Sequence, residues 1–434
     1  MPGGIAIRGA TARDIAASVE SAVATGALPP GSRLPSVRVL AASLQVSPTT
    51  VAGAFADLRR RGIAVSRPRS GLRVADRPPL ASGLERPPVA EGVRDVSSGN
   101  PDARLLPDVL QAFRTLDGPP RLYGARSVAP ELRKVASAAL AADGVDATQL
   151  CVVNGALDGI ERVLAVHLAG GDAVAVEDPG FPGVLDLVRP FGLHPIPVAV
   201  DERGMRPEGL ATALRAGARA VILTPRGQNP TGAALDPGRA RELRAVLAGA
   251  PGALVIEDDH LGPVAGAPAR TLTAGRARWA HVRSTSKWLG PDLRVAVLVG
   301  DDHTIRRVEG RQAVGPGWVS TIAQRAVARL WADPDVLAGA EQAATIYAGR
   351  RRALIEALAA HGIAAGAASG LNVWVPVEAE DIVGAGLLAA GWAIAAGSRF
   401  RLRTGPAVRI TVADLRPGEA ERLAADLAAV LRPA

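Results

Sequence analysis

Apolar positions at helical spacing open the chain: Ile15, Val19, Val23 and Leu28 fall on one face of a helix predicted over 13–28. PPGSRLPS then breaks that pattern. A second helix is predicted for SVRVLAASLQ, capped by Ser36, and a third for SPTTVAGAFADLRRRG, capped by Ser47 with Pro48 in the first turn. Two short helices across a tight turn form a helix-turn-helix, and IAVSRPRSGLRV adds two short apolar strands around a basic tip, a wing. Beyond residue 95 the period switches. Apolar β-rich runs alternate with helical stretches: CVV with GALDGIERVLAVHL, DAVAVED with GVLDLVRPF, AVILTP with the helix from Pro237 to Leu247, then ALVIEDD. Such alternation predicts an α/β domain with a mainly parallel sheet. After about 330, a long Ala/Arg helix (338–361), short strands at LNVWVPV and AVRITVA, and a terminal helix predict a smaller α+β subdomain.

Between the two patterns lies a stretch with two Pro-Pro pairs. Consecutive prolines keep the backbone extended at about 3.1 Å per residue, which reads as a semi-rigid spacer. The expected organisation is therefore a module over 1–75, a linker over 76–94 and a body over 95–434.

Charge separates the same regions. Residues 1–75 hold ten arginines against Asp14, Glu20 and Asp57, a net +7 of the chain's formal +8. A helix-turn-helix with a basic wing can place a helix in a major groove while arginines meet phosphates, so double-stranded DNA is the expected partner. A single cysteine, Cys151, cannot form an internal disulfide, and neither an apolar signal core nor a run of about 18 apolar residues is present. A cytoplasmic protein without membrane attachment or bound metal is expected.

The 434 residues contain two lysines, Lys134 and Lys287, against 48 arginines. Arginine can replace lysine at surface positions and phosphate contacts, but its guanidinium cannot form a Schiff base. Lys134 sits in ELRKVASAAL without a motif, whereas Lys287 sits in STSKWLGPDLR, among Ser284, Ser286 and Arg294. An amine for an aldehyde, hydroxyls for a phosphate and an arginine for its charge suit pyridoxal 5'-phosphate. Other motifs, each commonplace alone, fit the same ligand. Asp258 in VIEDDH could hold a pyridine nitrogen protonated, and Asn229 in PRGQNPTG could bond a phenolic oxygen. Asn154 and Gly155 open a helix whose free amides favour phosphate, and Phe181 in EDPGFPG offers a stacking face.

The first 75 residues resemble the GntR family of bacterial regulators through LPPGSRLPSVRVLAASLQVSPTTV and SRPRSGLRV. That resemblance implies DNA contacts from Arg33, Ser36 and Arg38 on the second helix, from Ser47, Thr49 and Thr50 on the recognition helix, and from Arg69 and Gly71 in the wing. Residues 95–434 resemble the aspartate-aminotransferase-like fold, fold type I of pyridoxal-phosphate proteins. There the resemblance implies that Lys287 carries the Schiff base, Asp258 pairs with the ring nitrogen, Asn229 binds the phenolate and Phe181 stacks. Asn154, Gly155, Ser284, Ser286 and Arg294 would surround the phosphate, with Tyr123 reaching the neighbouring subunit's phosphate. Arg409 would grip an effector or substrate carboxylate. His260 departs from the pattern, standing where tyrosine usually meets the phenolic oxygen. Imidazole can donate that bond as well, while changing charge near neutral pH.

Together the parts resemble the MocR subfamily of GntR regulators. That implies a head-to-tail homodimer whose large domain senses pyridoxal phosphate, alone or with an amino acid or amine. The alternative is an active aminotransferase that carries a DNA-binding module.

Overall fold

The computed structural model describes residues 7–24, 27–60, 63–67, 71–75, 89–119, 121–188 and 190–432. The chain forms two compact units, one of Met1–Glu85 with Leu168–Ala173 and Asp186–His194, the other of Arg86–His167, Val174–Leu185 and Pro195–Ala434.

In the first, helices α1 (Ala12–Ala24), α2 (Val37–Leu44) and α3 (Pro48–Arg60) precede a hairpin of β1 (Ala64–Arg67) and β2 (Gly71–Val74). Ser36 holds extended backbone and its hydroxyl accepts from the Val39 amide at 3.3 Å, which starts α2; Gln45, in the left-handed region at φ 54°, ends it. Ser47 starts α3, its hydroxyl accepting from the Thr50 amide at 3.1 Å. Ile15, Val19, Leu40, Val51, Ala54 and Leu58 meet in the core. Helix α1 closes before Leu28, which is buried from the loop beyond rather than from the helical face expected of it.

The second unit contains β3 (Arg94–Asp95), α4 (Val109–Arg114), α5 (Pro130–Ala142), β4 (Leu150–Val153), α6 (Ala156–His167), β5 (Ala173–Asp178), α7 (Pro182–Val188), β6 (His194–Asp201) and β7 (Gly204–Met205). There follow α8 (Pro207–Arg215), β8 (Ala218–Leu223), α9 (Pro237–Ala248), β9 (Leu254–Asp259), β10 (Trp279–Ser284), β11 (Ala296–Gly300), α10 (Asp302–Ala313), α11 (Thr321–Ala332) and α12 (Pro334–Ala360). The chain ends with β12 (Asn372–Pro376), α13 (Glu380–Ala389), β13 (Trp392–Ala393), β14 (Ala395–Ala396), β15 (Ala407–Thr411) and α14 (Glu419–Leu431).

Strands β4 to β11 form one eight-stranded sheet in the order β4-β11-β10-β9-β8-β5-β6-β7. Strand β9 runs parallel to β8 and β10, while β11 is antiparallel to both β10 and β4. Every residue of β9 and β10 is buried, as expected for strands covered on both faces. The sheet is thus mostly parallel at its centre, and the carboxyl ends of β9 and β10 deliver 258–260 and 284–287 side by side, where open α/β sheets bind ligands.

The smaller sheet, β12-β15-β14, packs on α12 and α13 and shares its core with α14. Two features of it were not visible in the pattern. Helix α12 runs through both cores, with Ala340, Ala343 and Tyr347 in the larger and Leu354 and Leu358 in the smaller. Strand β3, from the other end of the body, pairs in parallel with β13, and Val96 joins the small core.

Candidate functional site

The turn that carries Lys287 is fixed from three sides. Thr285 Oγ1 donates to the Val295 carbonyl at 2.7 Å, the Ser286 amide donates to Ser284 Oγ at 3.2 Å, and the Trp288 indole N–H donates to the Ser284 carbonyl at 3.2 Å. The buried Trp288 stands edge-on to Trp331, with ring centroids 5.2 Å apart. These bonds hold the Ser284 and Ser286 hydroxyls 3.2 Å apart beside a half-buried Lys287, whose amine donates to the Gly99 carbonyl at 2.7 Å.

On the neighbouring strand, Asp258 and Asp259 pair in register with Val282 and Arg283. Successive side chains on a strand point to opposite faces, so the two carboxylates meet different surroundings. Asp259 is fully buried against Arg226, whose Nε and Nη2 lie at 3.0 and 2.9 Å, and against Arg283. Burial opposes its ionisation, but Arg283 and Arg226 outweigh burial and hold its carboxyl far below the usual range. Asp258 has no such partner. Its Oδ1 is buried without a hydrogen bond among the described residues, and burial, reinforced by the charge on Asp259, pushes its pKa up to about 7. A buried polar atom left unsatisfied costs on the order of 1–3 kcal/mol unless something meets it. Burial, then the nearby Lys287 charge, pushes the His260 imidazole down to about 4, so it is neutral at physiological pH.

The third component comes from β4 and its loop. The Arg294 guanidinium donates through Nη2 to the Asn154 carbonyl at 2.7 Å, and Arg294 itself sits in the left-handed region at φ 49°. Gly155, at φ 92°, has room for nothing larger, since a Cβ there would lie 2.9 Å from Arg294 Cζ. The Asn154 amide is already used, donating to Asp158 Oδ2 at 2.8 Å. Arg294 thus meets Asn154 and Gly155, and Ala296 of β11 pairs on one side with Ser284 and on the other with Val153, next to Asn154.

Asn229 and Arg409 also meet: Arg409 Nη1 donates to Asn229 Oδ1 at 3.0 Å. The buried guanidinium lies 4.8 Å from the centre of the Phe400 ring. Phe181 is placed by a contact that sequence reasoning missed. Asp178, three residues earlier, accepts the backbone amides of Leu402, Arg403 and Thr404 at 2.8, 2.8 and 3.1 Å, and the Gly180 amide donates to the Phe400 carbonyl. The Arg226–Asp259–Arg283 cluster was missed as well, although the doubled aspartate in VIEDDH was a signal that one carboxylate would need an arginine. Tyr123 stands apart from these groups, 91% exposed, with its ring edge-on to Trp318 at 5.3 Å.

In the N-terminal unit Arg33, Ser36, Arg38, Ser47, Thr49 and Gly71 are exposed and Thr50 is half-buried. One placement differs from expectation. Arg33 precedes α2 instead of lying on it, because its backbone bridges to Arg73 of β2 and so belongs to the base of the wing. Ser36 is the cap of that helix. Arg69 lies outside the described residues.

Residues 11–74 match the family described as bacterial regulatory proteins, gntR family, and residues 91–427 match aminotransferase class I and II. The vitamin B6 salvage pathway transcriptional repressor PtsJ of Salmonella typhimurium is 39% identical over 425 residues, 97% of this chain and 98% of that one. This chain belongs to the MocR-type GntR regulators. The HTH-type transcriptional regulator TauR of Rhodobacter capsulatus is 30% identical over 362 residues, covering 72% and 71% of the two chains. Among solved structures, a kynurenine aminotransferase of Pyrococcus horikoshii superposes with TM-score 0.72 at 20% identity, covering 79% of this chain and 91% of that one. LysN of Thermus thermophilus, an alpha-aminoadipate aminotransferase, gives 0.69 at 21%, over 79% and 92%. At such identity the solved structures establish the fold. The MocR-type regulator is thus a DNA-binding transcriptional regulator with an aminotransferase-like domain for pyridoxal phosphate.

Its residues fit that cofactor. The orphaned Asp258 Oδ1 would accept from a protonated ring nitrogen, and glycine at 155 lets the Arg294 guanidinium close on the Asn154 carbonyl, where its charge would meet a phosphate.

Proposed function

We propose that this regulator reads the supply of pyridoxal phosphate, alone or with an amino acid or amine, and converts it into a change in operator affinity. The observation that carries this reading is the pairing of a buried, unpartnered Asp258 carboxylate with an amine, Lys287, on the adjacent strand end. Lys287 is the covalent anchor, Asp258 holds a proton against the ring nitrogen, and Phe181 covers the ring. Asn229 and the neutral His260 serve the phenolic oxygen. Asn154, Gly155, Ser284, Ser286 and Arg294 bind the phosphate, the last through charge-assisted bonds. When bound, the cofactor supplies an aldehyde that exchanges between amines and a ring that withdraws electrons.

Arg409 is the residue for a carboxylate. An incoming carboxylate would compete with Asn229 Oδ1 for the guanidinium, so its arrival is felt at the residue assigned to the phenolic oxygen. The exposed Tyr123 fits a role in a second copy of the chain, in a head-to-tail homodimer acting in the cytoplasm. We assign DNA contacts to Arg33, Ser36, Arg38, Ser47, Thr49, Thr50, Arg69 and Gly71. The domain limits follow the same reading: a DNA-binding module over 1–75, a linker over 76–94 and a sensor over 95–434.

Titration with pyridoxal phosphate, then with a panel of amino acids and amines, tests this reading when visible absorbance and operator binding are followed together. Absorbance that depends on Lys287 and tracks a change in DNA affinity is the expected result. Brisk amino transfer to a 2-oxo acid without sequence-selective DNA binding would establish the enzyme alternative instead.

A further inference from the structure

The segment where the linker enters the sensor is bonded to Lys287, assigned to the cofactor aldehyde, and to Arg409, assigned to a carboxylate. Starting from the N-terminal side, the Arg94 amide donates to the Gly391 carbonyl at 2.8 Å and the Val96 amide to the Ala393 carbonyl at 2.9 Å. The Thr411 amide returns a bond to the Val96 carbonyl at 2.7 Å. The Arg94 guanidinium reaches Glu419 at 3.0 Å and Asp414 at 2.9 Å, so this end is fastened to the small subdomain by a paired and half-buried charge. Three residues later the Ser97 carbonyl accepts from Arg409 Nη2, and at Gly99 the strap is held from both sides. The Gly99 amide donates to Thr411 Oγ1 at 3.0 Å, and its carbonyl accepts from Lys287 Nζ at 2.7 Å. Gly99 has φ 67°, and a Cβ there would lie 3.2 Å from Arg409 Nη1, so the close approach requires glycine.

We infer that residues 94–99 are the element that couples the ligand site to the DNA-binding module, with Arg94 as the positioning residue that anchors it. This inference rests on the reading that pyridoxal phosphate alters operator affinity. Condensation of the Lys287 ammonium with an aldehyde forms a C=N bond, breaks the C=O bond and releases the oxygen as water with two of the three ammonium protons. One N–H is left, fixed in the plane of the double bond, so covalent attachment and the bond to Gly99 compete for one nitrogen. A carboxylate at Arg409 competes in the same way with the Ser97 carbonyl. Both events loosen the strap at its inner end, while Arg94 keeps the outer end on the small subdomain. The chain then continues directly through the linker to the helix-turn-helix. Coupling is a free-energy difference between two arrangements, and this strap has contacts that each ligand changes.

The test uses the full chain and an operator fragment. Arg94→Met should keep the cofactor's absorbance and affinity and the DNA affinity measured without cofactor. The ratio of DNA affinities with and without pyridoxal phosphate, usually about fivefold to 150-fold for coupled sites, should fall to within about twofold of one. A ratio equal to that of the unmodified chain overturns the strap. Thr411→Val, which removes the acceptor of the Gly99 amide and keeps the side chain's shape, should also lower the ratio, and it decides the question if Arg94→Met does not fold. Hydrogen exchange at the Gly99 amide should quicken when cofactor is added, and unchanged exchange counts against the strap. An unmodified chain whose DNA affinity ignores the cofactor would instead refute the functional reading on which the strap depends.

Discussion

In the N-terminal unit the polar residues assigned to the ligand lie outside a small apolar core; around Lys287 they run from the buried Asp258 and Ser284 to the exposed Arg294. The module's core of Ile15, Val19, Leu40, Val51, Ala54 and Leu58 is built from residues close in sequence, and Arg38, Ser47 and Thr49 are exposed on its surface. Lys287 meets Gly99 and Arg409 meets Asn229 from distant segments, and Asp258 and Arg409 are buried. A charge in water is easily satisfied, whereas a buried one must find a partner or change its protonation. Adjacent residues show the contrast within the pocket itself. Asp259 is paired by two arginines and ionised far below its usual range, while Asp258, facing the other way, is pushed up to about 7 by burial and the charge on Asp259.

The sharpest break between the two regions is Lys287→Ala. Visible absorbance from covalently held cofactor should vanish completely, while operator binding measured without cofactor is retained by the module. Loss of both would show that the two regions are not separable.

Next in size is Arg226→Met, which strands a fully buried Asp259 with half its charge compensation. Breaking a buried pair typically costs about 3–5 kcal/mol, so the melting temperature should drop steeply. A melt within a degree or two of the parent would contradict a structural role for Asp259.

Asp258 predicts a pH dependence. Its folded pKa is raised above the unfolded value, so burial favours the protonated form. Stability of the cofactor-free protein should fall as pH rises from about 4 through about 7. The group's share is on the order of 4 kcal/mol. Asp258→Asn should flatten that slope and weaken cofactor binding; an unaltered denaturation profile between pH 5 and pH 8 would remove Asp258 from this account.

The module should respond more gently. Ser47→Ala removes the cap of α3 and should cost about 1 kcal/mol, visible as a small shift in the unfolding of the module and weaker operator binding. Smallest is Arg38→Ala, which should make the log–log salt dependence of DNA binding shallower by about 0.9 for one lost phosphate contact. An unchanged slope would place Arg38 off the DNA.

The difference between the regions also explains what could be read in advance. Caps at Ser36 and Ser47, the short turn between α2 and α3 and the hairpin are made by residues within a few positions of one another, so the motif shows its structure directly. Arg33 was misplaced because its bridge to Arg73 spans the module. In the body, the strand and helix alternation and the position of Asp258 at the end of an apolar strand were legible from periodicity. The clasp of Asp178 on 402–404 was not, since its partners are more than two hundred residues away.

From the sequence alone came the choice of Lys287: a chain with two lysines among 50 basic residues keeps an amine where guanidinium chemistry fails, and the serines and arginine around it name a phosphate. Which aspartate of Asp258 and Asp259 stays unpaired was decided by the sheet, because the pleat turns one toward Arg226 and Arg283 and the other away. The strap at 94–99 was decided by topology too. Its bonds to Lys287, Arg409 and Thr411 exist only because the first strand of the body lies in the subdomain made by its last hundred residues, and no local pattern encodes a contact across that distance.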